Sequence, residues 1–314
     1  GNIYANIQER ILEINDTFDN AYDKLRHDKL YTKESLKIGS IISGGKVNYS
    51  NPSISDYKHK TLGVMAVKEY DMMKTGRKHN WSFGFAQTKF DLDNDSKETA
   101  YSINLGLGYE DYLGDGTDFK WLSRAEISIN HHDVDRKIHL SNGTYTNNGK
   151  YWSGKGMWTN QLRYEILSES NKIKAGIFGS MKLGYGMSQD FKETGDGLHL
   201  SIKSQDMYFV RPGIGGDLAF TKYTDKGKFV FTAKASYEYE LGKEYDGANQ
   251  AKIKNTSSGY YSLEKPKDMK GTMKIGGELK YVHRYGHSVG VEVIRIEGNT
   301  DSTRVGVNFL YRFN

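Results

Sequence analysis

Cysteine is absent from the 314 residues. That excludes a disulfide scaffold, a thiolate metal centre and a thiol nucleophile. It is compatible with an oxidising compartment without requiring one. Proline is almost as scarce, at 3 residues, as long paired strands demand, because proline adds no donor to a ladder. No apolar run reaches the ~18–20 residues that a transmembrane helix needs. Hydrophobic residues make up 37% and mean hydropathy is −0.70, the profile of a water-soluble chain. Membrane β-barrels escape that test, since every lumen-facing position is free to be polar. The excess of one charge sign is also small. A net +5 suits a slightly basic solvated surface, or one that meets lipid phosphates at a cell surface. No nucleic-acid partner is expected. Against these shortages stand 35 glycines and 23 tyrosines, a composition that fits close-packed strands ringed by aromatic girdles.

The chain ends on an alternating run. Val305, Val307, Phe309, Tyr311 and Phe313 share one parity, and Arg304, Gly306, Asn308, Leu310 and Arg312 share the other. Successive strand residues point to opposite faces, so one face is apolar and aromatic and the other is mostly polar. A strand at a chain end has an edge to close, and a membrane barrel closes it against the first strand. The spacing Arg304-x-Gly306-x-x-Phe309-x-Tyr311, with Phe313 after it, resembles the terminal signal by which outer-membrane barrels are handed to the bacterial barrel-assembly machinery. Asn314 after the last aromatic departs from the many such signals that stop on it.

From about Asn2 to Lys29 the periodicity is helical. Tyr4, Ile7, Ile11, Ile14, Phe18, Tyr22 and Leu25 form a narrow stripe, while the other faces are charged. Glu9, Glu13, Asp16, Asp19 and Asp23 precede Lys24, Arg26 and Lys29, an order that favours the helix dipole. After Thr32 the period becomes two and stays so. The clearest strand alternates Tyr101, Ile103, Leu105, Leu107 and Tyr109 with Ser102, Asn104, Gly106 and Gly108. Roughly twelve such segments follow, each long enough to supply the ~9–11 residues of a tilted membrane strand. A long polar loop is expected up to Lys150, and the longest connection at about Gly242 to Lys270. Connections after odd strands read as long and those after even strands as short, the asymmetry between outer loops and periplasmic turns. The expected fold is an all-β membrane protein, an antiparallel barrel of residues 31–314 with an amphipathic helix and linker at 1–30.

One helix followed by about twelve strands and an aromatic terminal signal resembles the translocator domain of monomeric autotransporters, the type V secretion family. Tyr208-Phe209-Val210-Arg211-Pro212-Gly213-Ile214-Gly215 is also similar to a strand common in that family. The resemblance implies that the helix threads the pore and that a passenger fused upstream reaches the cell surface. No leader is visible at the start, so the export signal is expected upstream in a longer precursor, of the kind that carries an adhesin. The helix acids, with Asp16, Asp19 and Asp23 foremost, then need partners. Inward-facing Arg124, Arg211, Lys234, Arg304 and Arg312 are expected to supply them, with Glu126, Asp217 and Glu238 as further lumen charges. The implied partners are the passenger, outer-membrane lipid and lipopolysaccharide, and the assembly machinery, around a monomer.

Competing chemistry is weaker. Gly286-His287-Ser288-Val289-Gly290 spells G-x-S-x-G, yet Val289, Val291 and Val293 continue as a strand where a nucleophile elbow needs a helix. His131-His132-Asp133-x-Asp135 stands at the expected outer end of the fifth strand, where it reads as a polar loop base rather than a protease rim. Asp91-x-Asp93-x-Asp95 opens like a calcium loop, but Ser96 and Ser102 occupy the positions of the required glycine and glutamate. Some autotransporters cut their own helix through an asparagine assisted by a barrel acid. Asn6, Asn15 and Asn20 are available, with Glu126, Asp217, Glu238 and Glu240 as acids, but the Asn-Asn pair of self-cleaving members is missing. An uncleaved passenger is therefore expected. The resulting expectation is a non-enzymatic translocator without cofactor or metal. A helix-plugged porin and an outer-membrane hydrolase are the alternatives.

Overall fold

Alternation along the chain translates directly into wall and lumen. In a computed structural model, which describes residues 2–26, 33–72, 77–113, 118–241, 250–253, 259–263, 271–298 and 300–313, the long strands are these. β1 is Glu34–Tyr49, β2 Tyr57–Asp71, β3 Lys78–Leu92, β4 Lys97–Tyr112, β5 Phe119–Leu140 and β6 Gly143–Leu167. β7 is Ile173–Ser188, β8 Gln205–Tyr223, β9 Gly227–Tyr239, β10 Gly271–His283, β11 Ser288–Glu297 and β12 Thr300–Phe313. Each pairs antiparallel with its sequence neighbours, and β1 pairs β12 from Leu36↔Phe313 to Tyr49↔Thr300. Closure leaves no edge, which is what a sheet in lipid requires. Outward positions are apolar and exposed on every side, such as Leu62, Phe85, Leu107, Ile127, Ile177, Ile214 and Val293. Inward positions carry the charges.

Before the barrel stands α1, Ile7–Leu25, shorter than the 2–29 that periodicity suggests. Residues 2–6 are tied down instead: the Asn2 amide donates to the Ser53 carbonyl at 2.7 Å and the Ser55 amide to the Asn2 carbonyl at 3.2 Å. At the other end Arg26 is extended, and Lys29 lies outside the described residues. The carboxamide of Asn6, just before the helix, makes no side-chain cap. It donates to the Ser55 carbonyl and accepts from Arg10. Polar Gln8, Arg10, Glu13, Asn15 and Thr17 are as buried as the apolar stripe. A helix buried on its polar faces needs a polar enclosure, and the lumen provides it.

Two expectations change. β5 and β6 run on together to Leu140↔Gly143, so the segment expected as a long loop is the outer part of a tall hairpin. There the inner face packs on residues of the long connection, with Val134 and Asn147 buried, and the outer face carries Asp133, Asp135 and Lys137, so the hydrophobic alternation stops although pairing continues. Accordingly the long connections after odd strands are 189–204 and 240–270, whereas 93–96 and 141–142 are tight and β11 and β12 are separated by 298–299 alone. Connections after even strands are short throughout. Residues 93–95 form a single 3-10 turn in which Asn94 and Asp95 adopt φ of 59 and 60°. Parts of the two long connections, Phe191–Lys192, Leu200–Ile202, Gln250–Ile253 and Tyr261–Ser262, build a separate four-stranded sheet. Its Phe191, Ile202 and Ala251 join Leu263 and Tyr4 in the apolar core at that end of the barrel.

Candidate functional site in the barrel lumen

The site is the lumen with α1 inside it. Near the long connections, Arg10 Nε donates to Glu98 Oε2 at 2.9 Å and Arg10 Nη1 to the Ile3 carbonyl at 2.7 Å. The Tyr151 hydroxyl donates to Glu98 Oε1 at 2.5 Å. His132 lies 3.3 Å from the same oxygen, contacts Ser153 Oγ at 2.6 Å and stacks on Tyr151. Tyr151 stacks on Phe191, against whose edge the Tyr4 ring packs. The Tyr4 hydroxyl donates to Glu193 at 2.7 Å, and Arg136 binds Glu193 through two nitrogens at 2.8 and 2.7 Å. Burial, and then the neighbouring Glu193 carboxylate, raises the Tyr4 phenol well above its ordinary pKa, so it remains a donor. Chain, ring stack and ion pairs meet at this mouth.

At mid-height Arg304 Nη2 donates to Glu13 at 3.0 Å and lies 3.8 Å from Asp16, while His59 is 2.8 Å from Glu13. Phe18 packs on Gly84, where a Cβ would meet the ring at 2.7 Å. Only glycine admits that approach. Asn15 donates to Asp19 at 3.0 Å and accepts from Ser128 at 3.1 Å. Asp19 contacts Glu126, which Arg124 holds at 3.1 Å, and the Arg124 guanidinium sits 3.6 Å above the Tyr22 ring. Toward the short turns, Tyr22 donates to Asn80 at 2.9 Å, Asn20 to Glu292 at 2.5 Å and Arg26 to Glu110 at 2.6 Å. Lys24 also pairs with Glu292.

The helix leans on β1 and β2. Cavities of 130 and 390 Å³ remain mostly between it and β6–β11, and Asp16, Asp19, Lys182, Glu238 and Lys274 line both. Such polar, roomy spaces hold water.

The lumen residues named from sequence divide into two sets. Arg304, Arg124 and Glu126 meet α1 as just described. Arg211 pairs with Glu240 at 2.7 Å, Asp217 with Arg163 at 2.6 Å and Glu238 with Lys182 at 2.6 Å. Those three pairs lie within the wall, and Lys182 also faces Asp16 and Asp19 of α1 across the cavities they line together. Lys234 lines the larger cavity. Arg312 lies beside Gly286, its backbone amide donating to His287 at 3.1 Å. Gly306 faces inward near Glu292, and Phe309, Tyr311 and Phe313 are exposed outward. Tyr311 stacks between His287 and Phe313. His131 and His132 fall on opposite faces of β5: His131 packs on Trp152 outside while His132 is buried. Ser288 opens β11 directly after a turn in which Gly286 has φ +93°. Sequence reasoning did not single out Arg10, Glu98 or Tyr151. Strand parity points Glu98 and Tyr151 inward, and Arg10 sits one turn from Ile7 and Ile14, yet nothing local said that these would meet.

The family model for the autotransporter β-domain matches residues 41–294. The chain belongs to the autotransporter β-domain family. Similar solved structures agree on the fold. The translocator domain of autotransporter NalP from Neisseria meningitidis is 13% identical, with TM-score 0.70 and 98% of each chain covered. The β domain of the Bordetella autotransporter BrkA is 12% identical, with TM-score 0.59 over 90% of this chain and 100% of that one. The transport unit of the autotransporter AIDA-I from Escherichia coli is 12% identical, with TM-score 0.56 over 95% and 98%. A comparison with curated protein sequences gave no match. The chain is thus an outer-membrane translocator domain, of a family that is generally non-enzymatic. Its long-connection end is the outer end.

Proposed function

We propose that this translocator anchors and helps export a passenger fused upstream of α1, and that α1 then plugs the pore. The observation that carries the reading is the direction of the chain. Asn2 is tied to the β1–β2 connection at the outer end, while Arg26 reaches Glu110 near the periplasmic turns. Polypeptide joined ahead of Asn2 therefore leaves on the cell-surface side. The barrel has no catalytic role. Its partners are the passenger, lipopolysaccharide and the barrel-assembly machinery, and it acts as a monomer. Phe309, Tyr311 and Phe313, with Gly306, form the assembly signal. Asn15 is held in helical geometry between Ser128 and Asp19, and the passenger stays attached.

The test fuses an epitope-tagged passenger upstream of Asn2 in the precursor and digests intact cells with protease. The expected result is a tag accessible from outside and still joined to the barrel. A tag retained in the periplasm by a correctly assembled barrel would favour the helix-plugged porin.

A further inference from the structure

On four adjacent strands the lysines just above the apolar belt all face outward. Lys46 of β1 is directly opposite Lys58 of β2, and Lys60 of β2 is directly opposite Lys89 of β3. Lys97 of β4 lies two ladder positions above Thr99, which is opposite Lys89. All five are exposed, and none makes an ion pair among the described residues. Two acids share these outward ladder positions: Asp91 lies between Lys58 and Lys97, and Asp135 of β5 is opposite Lys97 on its other side. The other acids round the rim are interleaved or, like Asp135, already occupied. Asp133 and Asp135 accept from Asn148, Asp206 from Tyr185, and Glu297 and Asp301 flank Arg295.

The height of this band is set by the belt below it. On β2 the outward residues between Lys60 and Lys68 are Leu62, Val64 and Ala66. At ~3.3 Å per residue and a tilt near 40°, that interval spans roughly 20 Å, close to the ~25 Å apolar band of such barrels. Lys60 and Lys89 therefore stand at the level of lipid headgroups, and their stems are long enough to lie over apolar surface while the ammonium groups stay wet. Like charges directly across a ladder repel. Two such pairs side by side, with a carboxylate directly opposite only Lys58 of the four, are better satisfied by an anion bridging each pair than by solvent alone.

We propose that the outer rim of β1–β4 is a docking surface for an outer-leaflet lipid whose saccharide headgroup carries two phosphate monoesters. Lys46 and Lys58 would hold one phosphate and Lys60 and Lys89 the other, while Lys97 stands beyond them between Asp91 and Asp135. The acyl chains would lie over Ile42, Leu62, Phe85 and Tyr101, the outward residues one or two steps below. A phosphate monoester, with its higher charge and three acceptor oxygens, suits paired ammonium groups better than a diester does. This deepens the lipid part of the partner reading. It rests on the outer-membrane placement and not on export.

The test is native mass spectrometry of the detergent-extracted full chain, titrated with a bisphosphorylated diglucosamine lipid, its dephosphorylated form and phosphatidylglycerol. The wild type should bind the bisphosphorylated lipid at least about tenfold more tightly than either other lipid, and more weakly as salt rises. A variant with Lys46, Lys58, Lys60, Lys89 and Lys97 all changed to Gln should lose at least about tenfold, while the corresponding five Lys→Arg changes should retain binding. Heat-modifiable migration identifies folded protein. If the fivefold Gln variant does not fold, Lys46→Gln with Lys58→Gln, and Lys60→Gln with Lys89→Gln, should each lose part of the affinity. Equal binding by wild type and folded Gln variants would overturn the site, and equal binding of phosphatidylglycerol would overturn the headgroup. Passenger display in the same variants is a separate readout. A wild-type barrel that binds the lipid but displays no passenger would count against the export reading alone.

Discussion

At the scale of single residues, the most constrained group is the Arg10–Glu98 pair, with both side chains fully buried. Removing one partner from a buried pair leaves the other charged and uncompensated, at a cost of roughly 3–5 kcal/mol, whereas an exposed pair is worth about 0–1. Glu98→Gln should therefore lower the temperature at which the folded form is lost on a heat-modifiability gel. It should also raise the open probability of the reconstituted pore, because Glu98 joins α1 to Tyr151 of β6 and His132 of β5. Adding Arg10→Met to Glu98→Gln should recover part of the stability. A single mutant as stable and as closed as the wild type would remove the pair from the plug. Such residues were hard to read from sequence for a physical reason. Parity assigns Glu98, His132 and Tyr151 to the lumen face, but which lumen residues meet depends on ladder register and helix rotation, and neither is written locally. Arg304, by contrast, was legible, because the terminal strand's parity puts it inward and the helix offered acids.

The elements were legible wherever one face met lipid and the other did not. That condition holds along β4 and β12 and fails along the outer part of β5 and β6. There Asp133, Asp135 and Lys137 alternate with Val134 and Arg136 across from Asn147, Asn148 and Lys150. The helix was legible as a helix, but its lean toward β1 and β2 was not. Deleting residues 1–26 should raise single-channel conductance, because cavities of 130 and 390 Å³ already lie beside the helix and its removal would join them. Thermal stability should fall while strand closure persists, since the β1–β12 ladder does not involve α1. Charge reversal at Asp16 and Asp19 should act in the same direction but more weakly, because both border wet space. Reversing Arg304 along with Asp16 should partly restore closure. Reversing Arg211 should not, because its partner is Glu240 on the wall. Equal conductance with and without the helix would dispose of the plug.

For the whole molecule the decisive event is closing the cylinder, and β12 completes it on both sides. Its pairing with β11 is unbroken from Ser288↔Leu310 to Glu297↔Asp301. The ladder with β1 is interrupted between Gly39↔Leu310 and Ile42↔Val307, and there the Phe309 amide donates to Ser40 Oγ at 2.9 Å. The seam thus depends on a side chain at mid-height and on the aromatic cluster of His287, Tyr311 and Phe313 at the periplasmic rim. Tyr311 and Phe313 are exposed outward and bury little in the folded barrel, so truncating them should cost less stability than the ~3–5 kcal/mol typical of core aromatics. If they also serve as the signal read during insertion, their loss should strike yield harder than stability. Tyr311→Ala with Phe313→Ala should therefore sharply lower the amount of barrel in the outer membrane. The fraction that does assemble should still migrate as a folded, heat-modifiable species with a near-normal transition. Ser40→Ala should show the reverse pattern, with normal yield and a lowered transition, because it removes a seam contact without touching the aromatics. Quantifying both properties for both variants separates recognition from closure. Normal membrane levels of the double aromatic mutant would mean that the terminal run is read elsewhere, with Gly306 and the ladder itself as the remaining features of β12.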